Sequence, residues 1–243
     1  MADGLAELAA SLELTVARAV TPVDPGPTVW PVDEPWRADE DGIVGEGADL
    51  EPSTLVAAYR AGVFPWPHDD WLPWFSPDPR AVIPIGGLHV SHRLARTIRQ
   101  RRFRVTIDAA FEDVMLRCSE ERSDGVWITD AMVAAYCRLH ELGWAHSVET
   151  WEGERLVGGL YGVSIGGFFA AESMFYRVSD ASKVALAGFM AQCEREGIEL
   201  VDIQVLTDHT RSMGGVEIAK GEYLERLARA VTKDVRFAGA GAR

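Results

Sequence analysis

The chain has 243 residues, 47% of them apolar and 25% charged, and a formal net charge of −13. That length allows one or two domains of roughly 100–200 residues, and the apolar share excludes a disordered chain, which could not offset its conformational entropy. No run approaches the ~18 uncharged apolar residues of a membrane helix. The acidic start MADGLAELAASLEL lacks the basic opening of a secretory signal, and three cysteines (Cys118, Cys137, Cys193) without a CxxC pair read as reduced cytosolic thiols.

In chain order, residues 4–20 fit a short amphipathic helix. Residues 21–48, rich in Pro, Gly, Asp and Glu, read as irregular surface or linker. Pro52 suits a first helical residue and Gly62 a stop, so a helix is expected over 52–61. Residues 63–84 hold six prolines and three tryptophans (Trp66, Trp71, Trp74), which predicts a rigid aromatic loop without helix or central strand. Ser91 can cap a helix over HRLARTIRQ; a strand follows at 103–107 and a helix near 109–118. Thr129 caps a helix that Gly143 stops. AHSVETW, RLVGGLYGVSI and FFAAESMF, separated by tight turns, predict an antiparallel meander. A helix opening at Ser179 or Asp180 runs to Glu196, a buried strand covers 198–206, and GEYLERLARAV is a last helix before a frayed AGAGAR tail. This order is α+β rather than strict βαβ alternation.

Charge is uneven. Residues 1–50 carry eleven acidic and two basic residues, a net of −9, while residues 80–104 carry seven arginines and no acid. Arg93 and Arg96 share a helix face with Arg99 close by, and Arg101 and Arg102 follow. Such a run is commonly a solvated face, but it can also fork onto phosphates even in an acidic protein, because screening confines interactions to ~10 Å.

In LVDIQVL, side-chain alternation sets Asp202 and Gln204 on one face and Val201, Ile203 and Val205 on the other. They are either a hydrogen-bonded structural pair or a carboxylate polarising an amide toward a reacting group. Glu172 is a lone acid in an apolar strand; it must meet a cation or sit on an exposed face. GGLYGVSIGG lacks the Lys-Ser/Thr of a phosphate loop and the strand-to-helix setting of a dinucleotide site, so tight strand packing and a hairpin turn are expected. RSMGG (211–215) is followed by Val216 where a pyrophosphate-holding loop of acyl-CoA acetyltransferases needs a small residue. His89 and His92 complete no metal set, and His209 reads as structural rather than as a base.

Several ordered blocks carry a resemblance: AYRAGVFPW (58–66), SPDPRAV (76–82), WIT (127–129), AY…LHELG.AHSVE (135–149), LVGGLYGV (156–163), ESMF (172–175), ASKVAL (181–186) and D.QVL.DHT (202–210). Together they make the chain similar to the leucyl/phenylalanyl-tRNA–protein transferase family, from about Asp49 to Tyr223. It departs from that family's usual pattern at GADL (47–50), at TDHT, and at Phe75, where a tryptophan is common.

The resemblance implies an α+β protein with a small N-terminal domain and a GNAT-like C-terminal domain of mixed, mostly antiparallel sheet flanked by helices. The expected division is a divergent acidic segment at 1–48, the rest of the small domain at 49–82, the transferase domain at 83–236 and a flexible tail at 237–243. The implied reaction moves Leu, Phe or Met from aminoacyl-tRNA to proteins with N-terminal Arg or Lys, in the cytoplasm, as a step of N-degron proteolysis. An ester donor needs no cofactor and no metal.

By position, Asp202, Gln204 and Glu172 match the family's catalytic residues. Trp66 and Trp127 match tryptophans near the terminal adenosine. Leu160, Phe169, Leu186, Phe189 and Val201 match the apolar pocket for the aminoacyl side chain. Arg93, Arg96, Arg99, Arg101 and Arg102 would hold the acceptor stem, largely without reading sequence. Two rival readings stand beside this one. An acyl-CoA-dependent GNAT N-acyltransferase is opposed by Val216. A non-catalytic tRNA- or N-degron-binding module is opposed by the presence of Asp202, Gln204 and Glu172 together.

Overall fold

The computed structural model describes residues 11–12, 14–17, 20–67, 71–120 and 128–238. Proline placement shapes its first third. Helix α1 (Pro52–Ala61) begins on a proline, whose missing N–H costs nothing in a first turn, and ends at Gly62 with φ +82°. Only glycine fits there, because a Cβ would come within 2.9 Å of the Tyr223 ring.

The expected loop over 63–84 instead contains three strands. Strands β2 (Ile43–Glu46), β3 (Phe64–Pro65) and β4 (Pro73–Phe75) form a small sheet in the order β2-β4-β3. Strand β5 (Arg80–Ile83) lies inside the main sheet. The prolines permit this because they bracket strands rather than interrupt them. Pro65 lies on an edge strand, Pro73 starts one, and Pro79 and Pro84 flank β5 without removing a ladder donor from it.

The N-terminal helix expectation also fails where it can be seen. Leu14–Val16 is a strand, β1, paired in parallel with β6 (Arg104–Ile107). Thr15 and Val16 are β-branched and favour the extended backbone that completes this edge; residues 1–10 lie outside the described residues. Residues 21–48 are irregular as expected, apart from β2 and a 3-10 turn at Pro35–Arg37. They are tied to the body: Trp144 Nε1 donates to the Val23 carbonyl at 2.7 Å and Trp30 Nε1 to Asp49 at 2.7 Å.

The remaining elements follow the local signals. Ser91 and Thr129 accept from the backbone N–H groups of Leu94 and Met132, capping α2 (His92–Arg99) and α4 (Asp130–Glu141). Helix α3 (Phe111–Ser119) precedes α4. The meander is β7 (Ala145–Glu152), β8 (Arg155–Ile165) and β9 (Phe168–Tyr176), with antiparallel pairing throughout. Then come α5 (Ala181–Glu196), β10 (Leu200–Gln204), α6 (Asp208–Ser212), β11 (Val216–Ile218) and α7 (Lys220–Ala230). The glycines of β8 serve close packing, as read from the sequence: a Cβ on Gly162 would lie 2.1 Å from the Ala170 carbonyl oxygen and 2.4 Å from the Phe169 ring.

The other eight described strands form one sheet, β1-β6-β7-β8-β9-β10-β5-β11, antiparallel except for β1–β6 and β9–β10. One core cluster gathers Leu55, Tyr59, Val114, Met132, Tyr136 and Tyr223 from α1, α3, α4 and α7. The other gathers Leu94, Ile98, Leu186, Phe189 and Met190 from α2 and α5. The chain stays packed to Ala238, past the boundary expected at 236: Phe237 and Ala238 are buried. Residues 239–243 lie outside the described residues. Among the described residues no helix is long and apolar enough to cross a membrane.

Candidate active site

Strands β9 and β10 pair in parallel over only three positions, from Leu200 opposite Phe168 to Asp202 opposite Ala170. Beyond them the strands part. A cavity of about 510 Å³ opens in the gap, walled by Ala171–Met174 and Tyr176 from β9 and by Ile203–Val205 from β10 and its exit. Leu160 of β8, Leu186 of α5 and Ile83 of β5 add apolar surface, and Phe64, Pro65 and Trp66 close it from the small sheet.

Two bulges aim the polar groups. In the β8–β9 ladder, Tyr161 faces Ser173 and Gly162 faces Ala171, so Glu172 is the extra residue. In the β10–β5 ladder, Asp202 faces Val82 and Gln204 faces Ala81, so Ile203 is extra. Gln204 then takes a left-handed backbone at φ +55°. A bulge re-aims side chains that strict alternation would send elsewhere. The alternation expected for LVDIQVL therefore breaks: Ile203, Gln204 and Val205 all line the cavity, while Asp202 lies sealed beneath it.

Asp202 is held by a buried net. Its carboxylate accepts from Arg80 Nε at 2.9 Å, Arg80 Nη2 at 2.6 Å, the Tyr223 hydroxyl at 2.9 Å and the backbone N–H of Gln204 at 2.9 Å. Arg80 also donates to the Gly62 carbonyl at 2.9 Å. Burial opposes the Arg80 charge, but the paired Asp202 carboxylate more than offsets it and raises the guanidinium above its ordinary value. Asp202 thus fixes the main chain of Gln204 rather than its amide.

The amide belongs to Glu172: Gln204 Nε2 donates to Glu172 Oε1 at 2.8 Å. When Glu172 is charged its carboxylate only accepts, so the NH₂ faces it and Gln204 Oε1 is left for an incoming donor. Glu172 is half-buried, and desolvation pushes its carboxyl up to about 8. The nearby Tyr59 hydroxyl and Arg80 favour its charged form, and Asp202 opposes it. The Tyr59 and Tyr136 hydroxyls bond each other, and burial raises both phenols well above their usual range.

Of the expected pocket residues, Trp66, Leu160 and Leu186 line the cavity. Phe169, Phe189 and Val201 are sealed in the core. Trp66 is half-buried and meets Phe75 edge-on at 5.6 Å between ring centroids. Trp127 lies outside the described residues.

The arginines are all exposed, with Arg93, Arg96 and Arg99 on the side of α2 away from buried Leu94, Ala95 and Ile98. Arg93 reaches Asp180 at 3.2 Å and Ser179 at 2.7 Å, beside the start of α5. Arg102 pairs with Glu152 at 2.9 Å, at the β7–β8 turn. Arg101 has a left-handed backbone at φ +48°. Arg96 and Arg99 make no side-chain ion pair or hydrogen bond among the described residues.

Sequence reasoning singled out neither Arg80 nor Tyr59, Tyr136 and Tyr223. One signal was available for Arg80: it and Asp202 are each a lone charge in an apolar strand, and each needs the other if buried. His209, on the cavity wall, is pushed down by burial and by the Lys183 ammonium.

An apolar cavity in a strand gap, ending on a carboxyl–amide pair, suits an enzyme that seats an apolar group and transfers it to an amine. Comparison with known proteins narrows that class. The profile of the leucyl/phenylalanyl-tRNA protein transferase matches residues 82–228, and the profile of that enzyme's N-terminal domain matches residues 48–78. The chain is 50% identical to the leucyl/phenylalanyl-tRNA–protein transferase of Anaeromyxobacter sp. (strain Fw109-5) over 204 residues, covering 82% of this chain and 87% of that one. It is 48% identical to the enzyme of the same name from Edwardsiella ictaluri (strain 93-146) over 190 residues, 78% of each chain. The Proteus mirabilis (strain HI4320) relative is 46% identical over 193 residues, 79% of this chain and 83% of its own. The chain belongs to the leucyl/phenylalanyl-tRNA–protein transferase family.

Proposed function

We propose that this enzyme moves Leu, Phe or Met from aminoacyl-tRNA to the α-amine of proteins that begin with Arg or Lys, feeding N-degron proteolysis in the cytoplasm. One observation carries the reading: the Glu172–Gln204 pair lines a mainly apolar cavity, so a side chain seated there brings its ester near polar groups.

The amine nitrogen attacks the ester carbonyl. A C–N bond forms, the C–O bond to the ribose breaks, the amine loses a proton and the ribose oxygen gains one. The ester supplies the driving force, so the protein has to position the reactants and handle the proton. An α-amine has a pKa of about 8 and is partly neutral at cellular pH, so modest help suffices. Gln204 Oε1 accepts a hydrogen from the attacking amine and orients its lone pair. Asp202 and Arg80 act beneath it by fixing the Gln204 backbone.

Glu172 receives the cationic acceptor; an arriving guanidinium or ammonium draws its raised carboxyl into the charged form. Leu160 and Leu186 touch the aminoacyl side chain, with Phe169, Phe189 and Val201 behind. Such a wall separates side chains differing by one methylene by only about 1–3 kcal/mol, consistent with a loose Leu, Phe and Met choice. Trp66 and Trp127 stack near the terminal adenosine, and Arg93, Arg96, Arg99, Arg101 and Arg102 hold acceptor-stem phosphates. The division at 49–82 and 83–236 separates Trp66 from Glu172 and Gln204.

The test is transfer of labelled Leu from Leu-tRNA to peptides differing only at their first residue, with EDTA present and no ATP. Product on the Arg and Lys peptides, and none on an Asp or N-acetylated peptide, is expected. No product from Leu-, Phe- or Met-tRNA by folded protein would overturn the assignment.

A further inference from the structure

Phe237 lies beyond residue 228, where the transferase profile ends, yet its side chain is fully buried. Its ring centroid is 4.7 Å from that of Phe169 and 5.6 Å from that of Phe189, which are themselves 4.6 Å apart. The C-terminal segment is pinned there. Gln192 of α5 donates Nε2 to the Phe237 carbonyl at 2.5 Å, and Arg236 donates to the Thr21 hydroxyl at 3.0 Å.

This cluster of three mutually tilted rings adjoins the cavity. Phe189 is one helical turn from Leu186, and the Phe169 ring lies against Gly162, two residues along β8 from Leu160. Leu186 and Leu160 are both cavity walls and belong to the same core cluster as the rings.

We infer that Phe237 is a specificity-determining positioning residue, which props Phe169 and Phe189 behind the leucine wall and so sets how deep a side chain the cavity accepts. The inference rests on the aminoacyl-transfer reading above. Protein cores are close-packed, so rings without backing move into a void only in part. Shrinking Phe237 lets the ring pair, and with it Leu160 and Leu186, retreat. The deeper cavity then favours the larger, aromatic donor.

The test is a one-tube competition of Leu-tRNA and Phe-tRNA for a limiting N-terminal-Arg peptide, with full-length wild type, Phe237→Leu and Phe237→Ala. The Phe:Leu product ratio does not depend on how much enzyme is folded. It is expected to rise about tenfold in Phe237→Ala and about threefold in Phe237→Leu, the scale of small volume changes in an apolar pocket. If Phe237→Ala fails to fold, the Phe237→Leu ratio decides. An unchanged ratio, or loss of both transfers in a Phe237→Leu protein that remains folded by circular dichroism, overturns the inference. Wild type that transfers neither group overturns the underlying function instead.

Discussion

Asp202→Ala should lower stability severely, and more than it lowers any catalytic contact. The carboxylate it removes accepts from Arg80 at 2.9 and 2.6 Å, from Tyr223 at 2.9 Å and from the Gln204 N–H at 2.9 Å. Both ion-pair side chains are at most 1% exposed. Without Asp202 the Arg80 guanidinium stays buried with the Gly62 carbonyl as its remaining hydrogen-bond partner. Breaking a buried pair this way costs about 3–5 kcal/mol. The Tyr223 hydroxyl and Gln204 N–H each lose an acceptor, adding about 1 kcal/mol apiece. Such a sum is a large share of the ~5–15 kcal/mol of a typical folded domain.

At roughly 2–4 °C per kcal/mol for a chain of this size, Tm should drop by about 10–30 °C. Calorimetry and urea melts of wild type, Asp202→Ala and the double variant Arg80→Met/Asp202→Leu measure this. The apolar double variant should regain much of the stability, because it leaves no unpaired charge. It should regain little activity, because Gln204 has lost its anchor. A Tm within about 3 °C of wild type for Asp202→Ala would refute the reasoning and assign Asp202 a chemical role instead.

Three further outcomes follow from the same geometry. The folded-state pKa of Glu172, about 8, lies above the ~4.3 of an unfolded glutamate, so the folded protein holds an extra proton between those values and loses stability as pH rises through them, by up to about 1.4 kcal/mol per pH unit. Glu172→Gln removes that slope and should gain on wild type from pH 5 to pH 8 in urea melts; parallel slopes would contradict it. Arg96→Ala/Arg99→Ala should weaken tRNA binding and reduce the log–log salt slope by about two, whereas Arg93→Ala should change it less because Asp180 already engages that side chain; filter binding across salt concentrations reads both. Leu186→Phe narrows the cavity, so the Phe:Leu product ratio should fall about tenfold, and equal losses for both donors would remove Leu186 from the side-chain site.

What could be read from the sequence was local. Pro52 and Gly62 bound α1, Ser91 and Thr129 cap α2 and α4, and glycine-rich β8 packs tightly, because neighbouring residues suffice for each. Motif resemblance pointed to Glu172, Gln204, Leu160 and Leu186 from short blocks, and these four residues line one cavity. What was hidden depends on residues far apart. Arg80 and Asp202 meet across 122 positions, so neither strand alone announces the net beneath the site. The bulges at Glu172 and Ile203 are set by ladder register, and a period-2 reading cannot see them. Helical patterning misled at Leu14–Val16, where the open edge of β6 decided the outcome. Proline density misled at 80–83, where bracketing prolines left the strand intact.

In the proposed mechanism Gln204 acts at the bond-forming step rather than in recognition. Single-turnover transfer from saturating Leu-tRNA to an N-terminal-Arg peptide, comparing wild type with Gln204→Ala, tests this most directly, with tRNA affinity measured in parallel. The rate constant should fall at least about 100-fold, with tRNA Kd within about twofold and Tm nearly unchanged, the pattern of a contact made in the transition state. An unchanged rate constant with weakened tRNA binding would contradict it.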